Sequence, residues 1–158
     1  MSARNLVLPT LALSLLGCQA SAPPRAAAPP QYFPSPQAAI RSLPFSEAVR
    51  VGDVLYLSGQ IGTAPAKLEL VPGGIVPEAR QTLENIRAVL ERHGSSLGEV
   101  VKCTVFLADI KEWSTFNEVY RQYFTRNLPA RSALGANGLA MGARVEVECI
   151  AYVPGPKP

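Results

Sequence analysis

The sequence has 158 residues, of which 47% are hydrophobic, and it carries 15 basic side chains against 12 acidic ones. This length and composition suit one globular domain with a tail. The small net charge of +3, with no cluster of Lys and Arg, argues against a nucleic-acid-binding surface.

The N-terminus has the pattern of a secretory signal. One Arg within residues 1–5 precedes a mainly apolar run over residues 6–16, which is too short to span a bilayer. The following Leu15-Leu16-Gly17-Cys18 resembles a bacterial lipobox, in which the Cys becomes the lipidated N-terminus. We therefore expect a lipoprotein signal peptide over residues 1–17 and lipid on Cys18. Because Leu16 is unusual in a lipobox, cleavage by ordinary signal peptidase is the alternative.

The location follows from the same segment. Gln19, directly after Cys18, resembles a signal for sorting to the outer membrane. We expect a lipoprotein on the periplasmic face of the outer membrane, or otherwise a secreted or periplasmic protein. Membrane contact would be through the N-terminal lipid only.

Residues 18–40 are rich in Ala and Pro. Such a segment buries too little apolar surface to fold and favours extended polyproline II. At about 3.1 Å per residue it could hold a domain a few tens of Å from a membrane. We predict a tether here and a folded domain over residues 41–158.

The folded part alternates between strand and helix patterns. Period-two alternation predicts a hairpin of two strands, over residues 47–51 and 54–60. A stripe of apolar residues predicts a helix over residues 77–93, which Gly94 ends and in which His93 is a surface or capping residue. The later elements are a strand over 100–107, a second helix, a strand over 131–134, a Gly-rich turn over 135–142 and a strand over 144–153. The stripe of the second helix, which we expect to be core rather than a ligand site, is Trp113, Phe116, Tyr120 and Tyr123.

The strand faces predict an oligomer. One face is apolar and would lie under the helices; it holds Leu55, Leu57, Val101, Cys103, Val105, Val145, Val147, Cys149 and Ala151. Two helices cover only one side of the sheet, so Phe106, Ile150 and Tyr152 would be exposed on the other, which is typical of an interface. We expect Cys103 and Cys149 to be reduced and inert, since free Cys behaves as a small buried hydrophobe; the sequence does not show whether they are adjacent, which a disulfide would require.

Late in the chain, one basic and two acidic side chains are spaced as a small-carboxylate site would require. Arg131 follows Pro129-Ala130, and the alternation of the last strand puts Glu146 and Glu148 on one face. A guanidinium suits bidentate recognition of a carboxylate, and an acid on a neighbouring strand could move a proton beside it. On pattern alone, a surface Arg and a solvated strand face are the favoured interpretation.

Five segments, in order and without large gaps, resemble the RidA/YjgF family of enamine/imine deaminases: Tyr56-Leu-Ser-Gly-Gln-Ile61, Ala79-Arg-Gln-Thr-Leu-Glu-Asn-Ile86, Val105-Phe-Leu-Ala-Asp109, Pro129-Ala-Arg-Ser132 and Val145-Glu-Val-Glu148. The resemblance runs from about Leu43 to Tyr152. It implies an α+β, chorismate-mutase-like fold, in which a mixed sheet carries two helices on one face, and a homotrimer with pockets between subunits.

The resemblance also implies site residues. Arg131 matches the family's carboxylate-gripping Arg, and Glu146 matches the Glu that handles water and the leaving amine. Ser58 and Asn117 match two further pocket positions, while Glu148 does not match one and is expected to be structural. Two positions depart from the family: Phe45 replaces a pocket Tyr, and Ala133 replaces a Cys, although a backbone contact at Ala133 survives. The chemistry requires no metal or organic cofactor.

The resemblance therefore implies an enzyme that hydrolyses reactive 2-imino or 2-enamino acids to 2-oxo acids and ammonia. The alternative is a tethered binding module, in which Arg131 holds a 2-oxo acid or another small carboxylate without turnover. Ribonuclease activity is sometimes assigned to the family, but the charge distribution of this sequence does not support it. We expect a small-molecule partner and no nucleic acid.

Overall fold

The computed structural model of the protein describes residues 28–36, 42–65 and 67–155. The predicted signal peptide, Cys18 and much of the predicted tether lie outside these residues. None of the helices in the described ranges has the length and apolar character that a membrane crossing requires.

One mixed sheet and two helices make up the domain. In chain order the elements are β1 (Gln31–Phe33), β2 (Ala48–Val51), β3 (Val54–Leu57), β4 (Gln60–Ile61), α1 (Ile75–Arg92), β5 (Val100–Leu107), α2 (Trp113–Tyr123), β6 (Ala130–Gly135) and β7 (Val145–Tyr152), with single 3₁₀ turns at Leu97–Glu99, Ile110–Glu112 and Ala140–Gly142. The strand order is β1-β2-β3-β7-β5-β6, and β4 continues beside β7. Strands β5 and β6 run parallel, and the other pairs are antiparallel. This confirms the predicted α+β fold.

The helices pack on one face of the sheet, as the alternation predicted. The α1 stripe of Ala79, Leu83, Ile86 and Leu90 is buried against the inward side chains of β5 and β7. Burial of this apolar surface is the main favourable contribution to folding. Among the described residues no helix covers the opposite sheet face, where Tyr56 and Tyr152 are more than 40% exposed; we call it the open face.

The α2 stripe was predicted only in part. Phe116 and Tyr120 are buried, but Trp113 at the start of the helix is 44% exposed, so its assignment to the core was wrong. Tyr123 is only half-buried, and its hydroxyl donates a hydrogen bond to Glu84 Oε1 at 2.7 Å. Asp109 caps the preceding 3₁₀ turn, where its Oδ1 accepts a hydrogen bond from the backbone N–H of Lys111 at 3.0 Å.

Strand β5 also departs from strict alternation. Its register against β7 shifts between Val100 and Lys102, which is the mark of a β-bulge. As a result Val100 is 4% exposed and Val101 is 53% exposed. The prediction that Val101 faces the core was therefore wrong, because one extra residue reverses the side on which a strand residue lies.

Cys103 and Cys149 form a disulfide, contrary to the expectation of reduced thiols. The two residues face each other directly across β5 and β7, with Cα atoms 4.2 Å apart. Such a separation is typical of antiparallel pairs that are not joined by backbone hydrogen bonds. The adjacency depends on sheet register, which sequence patterns do not show.

The domain begins earlier than predicted. Strand β1 lies within the predicted tether but pairs with β2, and Phe33 O accepts a hydrogen bond from the N–H of Glu47 at 2.8 Å. Phe33 also stacks on the ring of His93, with 4.2 Å between ring centroids. The boundary prediction was wrong here because pairing to an existing sheet edge orders a segment that could not fold alone.

His93 is the C-cap of α1, and it is more than a surface residue. Its Nε2 lies 2.9 Å from Oε1 of Glu47, a carboxylate that also accepts two hydrogen bonds from Arg92, at 3.0 and 3.2 Å. The Glu47 side chain is buried. His93 and Arg92 thus supply the partners that a buried carboxylate needs.

Candidate functional site

Arg131 lies on edge strand β6, on the helix-covered side of the sheet. Its register partner on β5 is Cys103, whose side chain is fully buried under the helices. The Arg131 guanidinium carbon lies 4.6 Å from the centroid of the Tyr120 ring and 5.9 Å from those of Trp113 and Phe116. All three rings belong to α2, so a single helix supplies the aromatic contacts of the cation.

Two polar groups beside these rings have no hydrogen-bond partner among the described residues. They are Asn117 Oδ1 and the Tyr120 hydroxyl, both buried on α2. Burial raises the pKa of Tyr120 to about 12, while the positive charge of Arg131 acts in the opposite direction. Ala133 follows on the same side of β6 and packs against the core. We call Arg131, Ala133, Asn117 and the three rings the Arg131 half-site.

Glu146 lies on the open face, next to an interruption between β3 and β4. The pairs Tyr56–Ile150 and Gln60–Val147 leave three residues, 57–59, opposite the two residues 148 and 149. One extra residue on one strand is a β-bulge, a feature enriched beside active sites. The bulge carries Ser58 and Gly59 of the Ser-Gly-Gln segment.

Gly59 makes room for the Glu146 carboxylate. A Cβ on Gly59 would lie 2.0 Å from Glu146 Oε1, far inside van der Waals contact. Ser58 is turned away, because its Oγ donates to Ser46 O at 2.6 Å and so secures the segment that also carries Phe45. Phe45 is 55% exposed. We call Phe45, Ser58, Gly59 and Glu146 the Glu146 half-site.

The Glu146 carboxyl has a perturbed acidity. Burial raises its pKa above the usual value, and the neighbouring Glu148 carboxylate raises it further. Both causes disfavour the charged form. A carboxyl group that holds its proton closer to neutral pH is suited to general acid catalysis.

One chain does not bring the two half-sites together. Arg131 aligns with Cys103 on the helix side, whereas Glu146 aligns with Phe106 on the open face. Strand β5 also separates β6 from β7. The hypothesis that the cation and the acid lie on neighbouring strands was therefore wrong, and the predicted residues fall into two groups on opposite faces.

Sequence reasoning missed three contributors. Gly59 was quoted within a family segment, but its role depends on an approach of Glu146 that only the structure reveals. Tyr120 is core, as predicted, but its ring also lies beside the Arg131 guanidinium, and so does that of the exposed Trp113. The sequence signal that could have indicated these rings is the aromatic stripe of the helix that directly precedes the motif containing Arg131.

Other features of the described chain do not coincide with the predicted site. A cavity of about 170 Å³ on the open face is lined by Tyr56, Leu57, Lys102, Thr104, Glu148, Cys149 and Ile150. It includes none of the predicted pocket residues. In the part of the chain that the structure describes, no group of three or more His, Cys, Asp or Glu side chains is placed to hold a metal ion.

Comparison with known proteins identifies similar sequences. A family profile described as Endoribonuclease L-PSP matches residues 36–153. A Bos taurus protein named 2-iminobutanoate/2-iminopropanoate deaminase is 50% identical over 113 residues, which are 72% of this chain and 82% of that protein. The human protein of the same name is 46% identical over 113 residues, again 72% of this chain and 82% of the relative.

Solved structures share the fold. YyfA from Yersinia pestis, described as a protein of the conserved Rid family, has a TM-score of 0.74 and 36% identity, covering 79% of this chain and 100% of its own. Escherichia coli TdcF with bound serine has a TM-score of 0.66 and 35% identity, covering 69% of this chain and 87% of its own.

Proposed function

Because the chain belongs to the RidA/YjgF family, we propose that it is an enamine/imine deaminase that hydrolyses reactive 2-imino and 2-enamino acids to 2-oxo acids and ammonia. The observation that carries the proposal is that Arg131, although partly buried, has no carboxylate partner among the described residues. Its fork of N–H donors is free for the carboxylate of a substrate. The serine bound to the relative TdcF carries such a carboxylate.

Arg131 and Glu146 have different roles in this proposal. Arg131 grips the substrate carboxylate and orients the neighbouring C2 atom. Water adds its oxygen to C2 of the imine and one of its protons passes to the nitrogen, which gives a carbinolamine; the Glu146 carboxyl then supplies a second proton to the nitrogen as the C–N bond breaks. The oxo acid and ammonia leave, and a proton from the added water restores the Glu146 carboxyl. A guanidinium remains charged near neutral pH, so Arg131 does not serve as the acid.

We further propose a homotrimer whose sites combine the Arg131 half-site of one chain with the Glu146 half-site of the next. The support is geometric: the half-sites lie on opposite faces of one sheet, and the open face has no helix to cover it. A heterologous contact that repeats around a three-fold axis closes a ring and gives three such sites. Light scattering on the purified full chain should then give a mass of three subunits, and a monomer would contradict the proposal.

Mixing two inactive variants tests the composite site. Arg131→Ala and Glu146→Gln chains, unfolded together and refolded in equal amounts, should regain about a quarter of the wild-type sites, because each mixed ring contains one intact pair. Each variant refolded alone is the control. If mixing restores no activity although mixed trimers form, the site is not shared between chains.

For the location we propose a lipid-anchored protein outside the cytoplasm, supported by the lipobox-like residues 15–18 and by the Cys103–Cys149 disulfide. Disulfides persist in oxidising compartments and are rare in the cytosol. Mass spectrometry of the mature N-terminus should find a diacylglyceryl group on Cys18. An unmodified terminus at another residue would contradict the lipid anchor.

Ammonia release tests the deaminase function. Wild-type protein should accelerate release of ammonia from enzymatically generated 2-iminopropionate, and Arg131→Ala should not. Binding of pyruvate to the wild-type protein without any ammonia release would favour the alternative of a non-catalytic small-carboxylate module. If the wild-type protein neither releases ammonia nor binds pyruvate, the Arg131 site does not bind small carboxylates.

A further inference from the structure

We propose that Tyr120, assisted by Trp113 and Phe116, is a positioning residue that holds the Arg131 guanidinium ready for a carboxylate without neutralising it. This inference deepens the proposed function and rests on it, because it concerns the same cation. In this proposal the three residues that form the aromatic cradle act through Arg131.

The setting of Arg131 differs from that of the arginines with acidic neighbours. Five arginines in the described part of the chain pair with carboxylates: Arg50, Arg87, Arg92, Arg121 and Arg144. Arg131 instead lies over the Tyr120 ring at 4.6 Å, with two more rings at 5.9 Å. These distances are within the range in which a ring quadrupole attracts a cation.

Rings and carboxylates hold a guanidinium in different ways. A carboxylate accepts hydrogen bonds from the edge of the guanidinium, so it would compete with a substrate carboxylate for the same donors. A ring attracts the cation through its face and accepts none of these strong hydrogen bonds. The cradle therefore limits the freedom of a long side chain while its N–H edge stays available.

The Tyr120 ring is itself immobilised. It lies between two rings of the same segment, with its centroid 5.6 Å from that of Phe116 and 4.5 Å from that of Phe124. Tyr120 is buried, and its hydroxyl has no partner among the described residues. The ring face, rather than the hydroxyl, is thus the part of Tyr120 that the proposal requires.

Substitutions at Tyr120 separate ring from hydroxyl. Tyr120→Phe keeps the ring and should bind pyruvate with wild-type affinity, whereas Tyr120→Leu should weaken binding roughly 3- to 30-fold. In deaminase kinetics the loss should fall on KM, with kcat little changed, because Glu146 is untouched. Tyr123→Leu is the matched control: it removes a tyrosine of the same helix that bonds Glu84, and KM should stay at the wild-type value.

A second pair of measurements guards against simple misfolding. Trp113→Leu alters an exposed ring and should retain the fold while raising KM about twofold. In an Arg131→Ala background, Tyr120→Leu should cause no further loss of pyruvate affinity, because the two residues act as one unit. Additive losses would overturn the proposal.

Order at Arg131 can be measured without any substrate. In nitrogen-15 NMR of the full chain, the Arg131 Nε–H should be rigid in the wild-type protein and Tyr120→Phe, and should become mobile in Tyr120→Leu. This readout remains decisive if the protein proves not to be a deaminase. Unchanged order and affinity in Tyr120→Leu, or equal damage from Tyr120→Phe, would overturn the role of the ring.

Discussion

The two half-sites handle their charged groups in opposite ways. The Arg131 half-site surrounds a cation with rings from α2, which preserve its charge and leave its donors free. In the Glu146 half-site, burial and the neighbouring Glu148 carboxylate raise the pKa of the Glu146 carboxyl and so favour its neutral form, while Gly59 in the β-bulge leaves room for it. In the proposed mechanism, the charge that binds substrate is therefore stabilised by its surroundings, whereas the charged form of the group that transfers a proton is disfavoured.

Glu146→Gln should have the largest effect. It keeps the shape and much of the hydrogen bonding of the side chain but cannot exchange a proton. Turnover should fall by roughly 10²-fold or more, the usual scale for loss of a general acid or base, while pyruvate affinity is retained. Deaminase kinetics beside calorimetric binding measure both quantities. Normal turnover would make Glu146 structural and remove the contrast between the half-sites.

Removing the disulfide should cause the next largest effect. The bridge joins β5 beside Arg131 to β7, which carries Glu146, so it spans the region between the half-sites. Replacing both cysteines with Ala should lower the free energy of unfolding by about 2–4 kcal/mol. Denaturant melts with and without reductant measure this loss, and reductant should affect only the wild-type protein. Equal free energies of unfolding for the wild-type protein and the double Ala variant, without reductant, would show that the two thiols are not bridged.

Arg131→Ala should weaken binding more than it disturbs the fold. Loss of charge-assisted hydrogen bonds from one guanidinium corresponds to roughly 10- to 100-fold in affinity for pyruvate or 2-oxobutyrate. Arg126, which is exposed and has no ion-pair partner within the described ranges, offers a control, and Arg126→Ala should bind as the wild-type protein does. Unchanged affinity in Arg131→Ala would contradict its role as the carboxylate clamp.

Gly59→Ala tests whether the Glu146 carboxylate needs the space it occupies. The added Cβ would overlap Glu146 Oε1. Because this atom lies at the end of a flexible side chain, we expect the carboxylate to move and the domain to remain folded. Turnover should fall about tenfold or more, with little change in melting temperature. Gly98→Ala is the matched control, because its Cβ would meet no atom closer than 3.6 Å. If Gly59→Ala is as active as Gly98→Ala, Gly59 has no role in the site.

The smallest effect concerns the pH dependence of stability. Because its pKa is raised in the folded state, Glu146 contributes stability that is present at low pH and is lost as the pH rises through the folded pKa. Glu146→Gln should therefore match the wild-type protein near pH 4 and melt slightly above it near pH 7. Thermal melts across this range measure the difference. A variant less stable than the wild-type protein near pH 7 would contradict the raised pKa.

The site residues show how far prediction from sequence reaches. The family motifs predicted Arg131, Glu146, Ser58 and Asn117 as site residues, and their roles stay predictions. That Arg131 and Glu146 lie on opposite faces depends on the parallel pairing of β6 with β5 and on the order of the strands. Pairing partners lie far apart in the chain, so no local pattern contains this information.

Local sequence patterns were sufficient to predict the helices and strands and most of their buried faces. Period-two and helical spacing reflect local backbone geometry, which is why the two helices and their buried stripes were predictable. Only the tertiary structure decided the disulfide, the pairing of β1, the bulge that exposes Val101 and the rings around Arg131. Each of these depends on register or close approach between distant segments, and a shift of one residue changes which side chains meet.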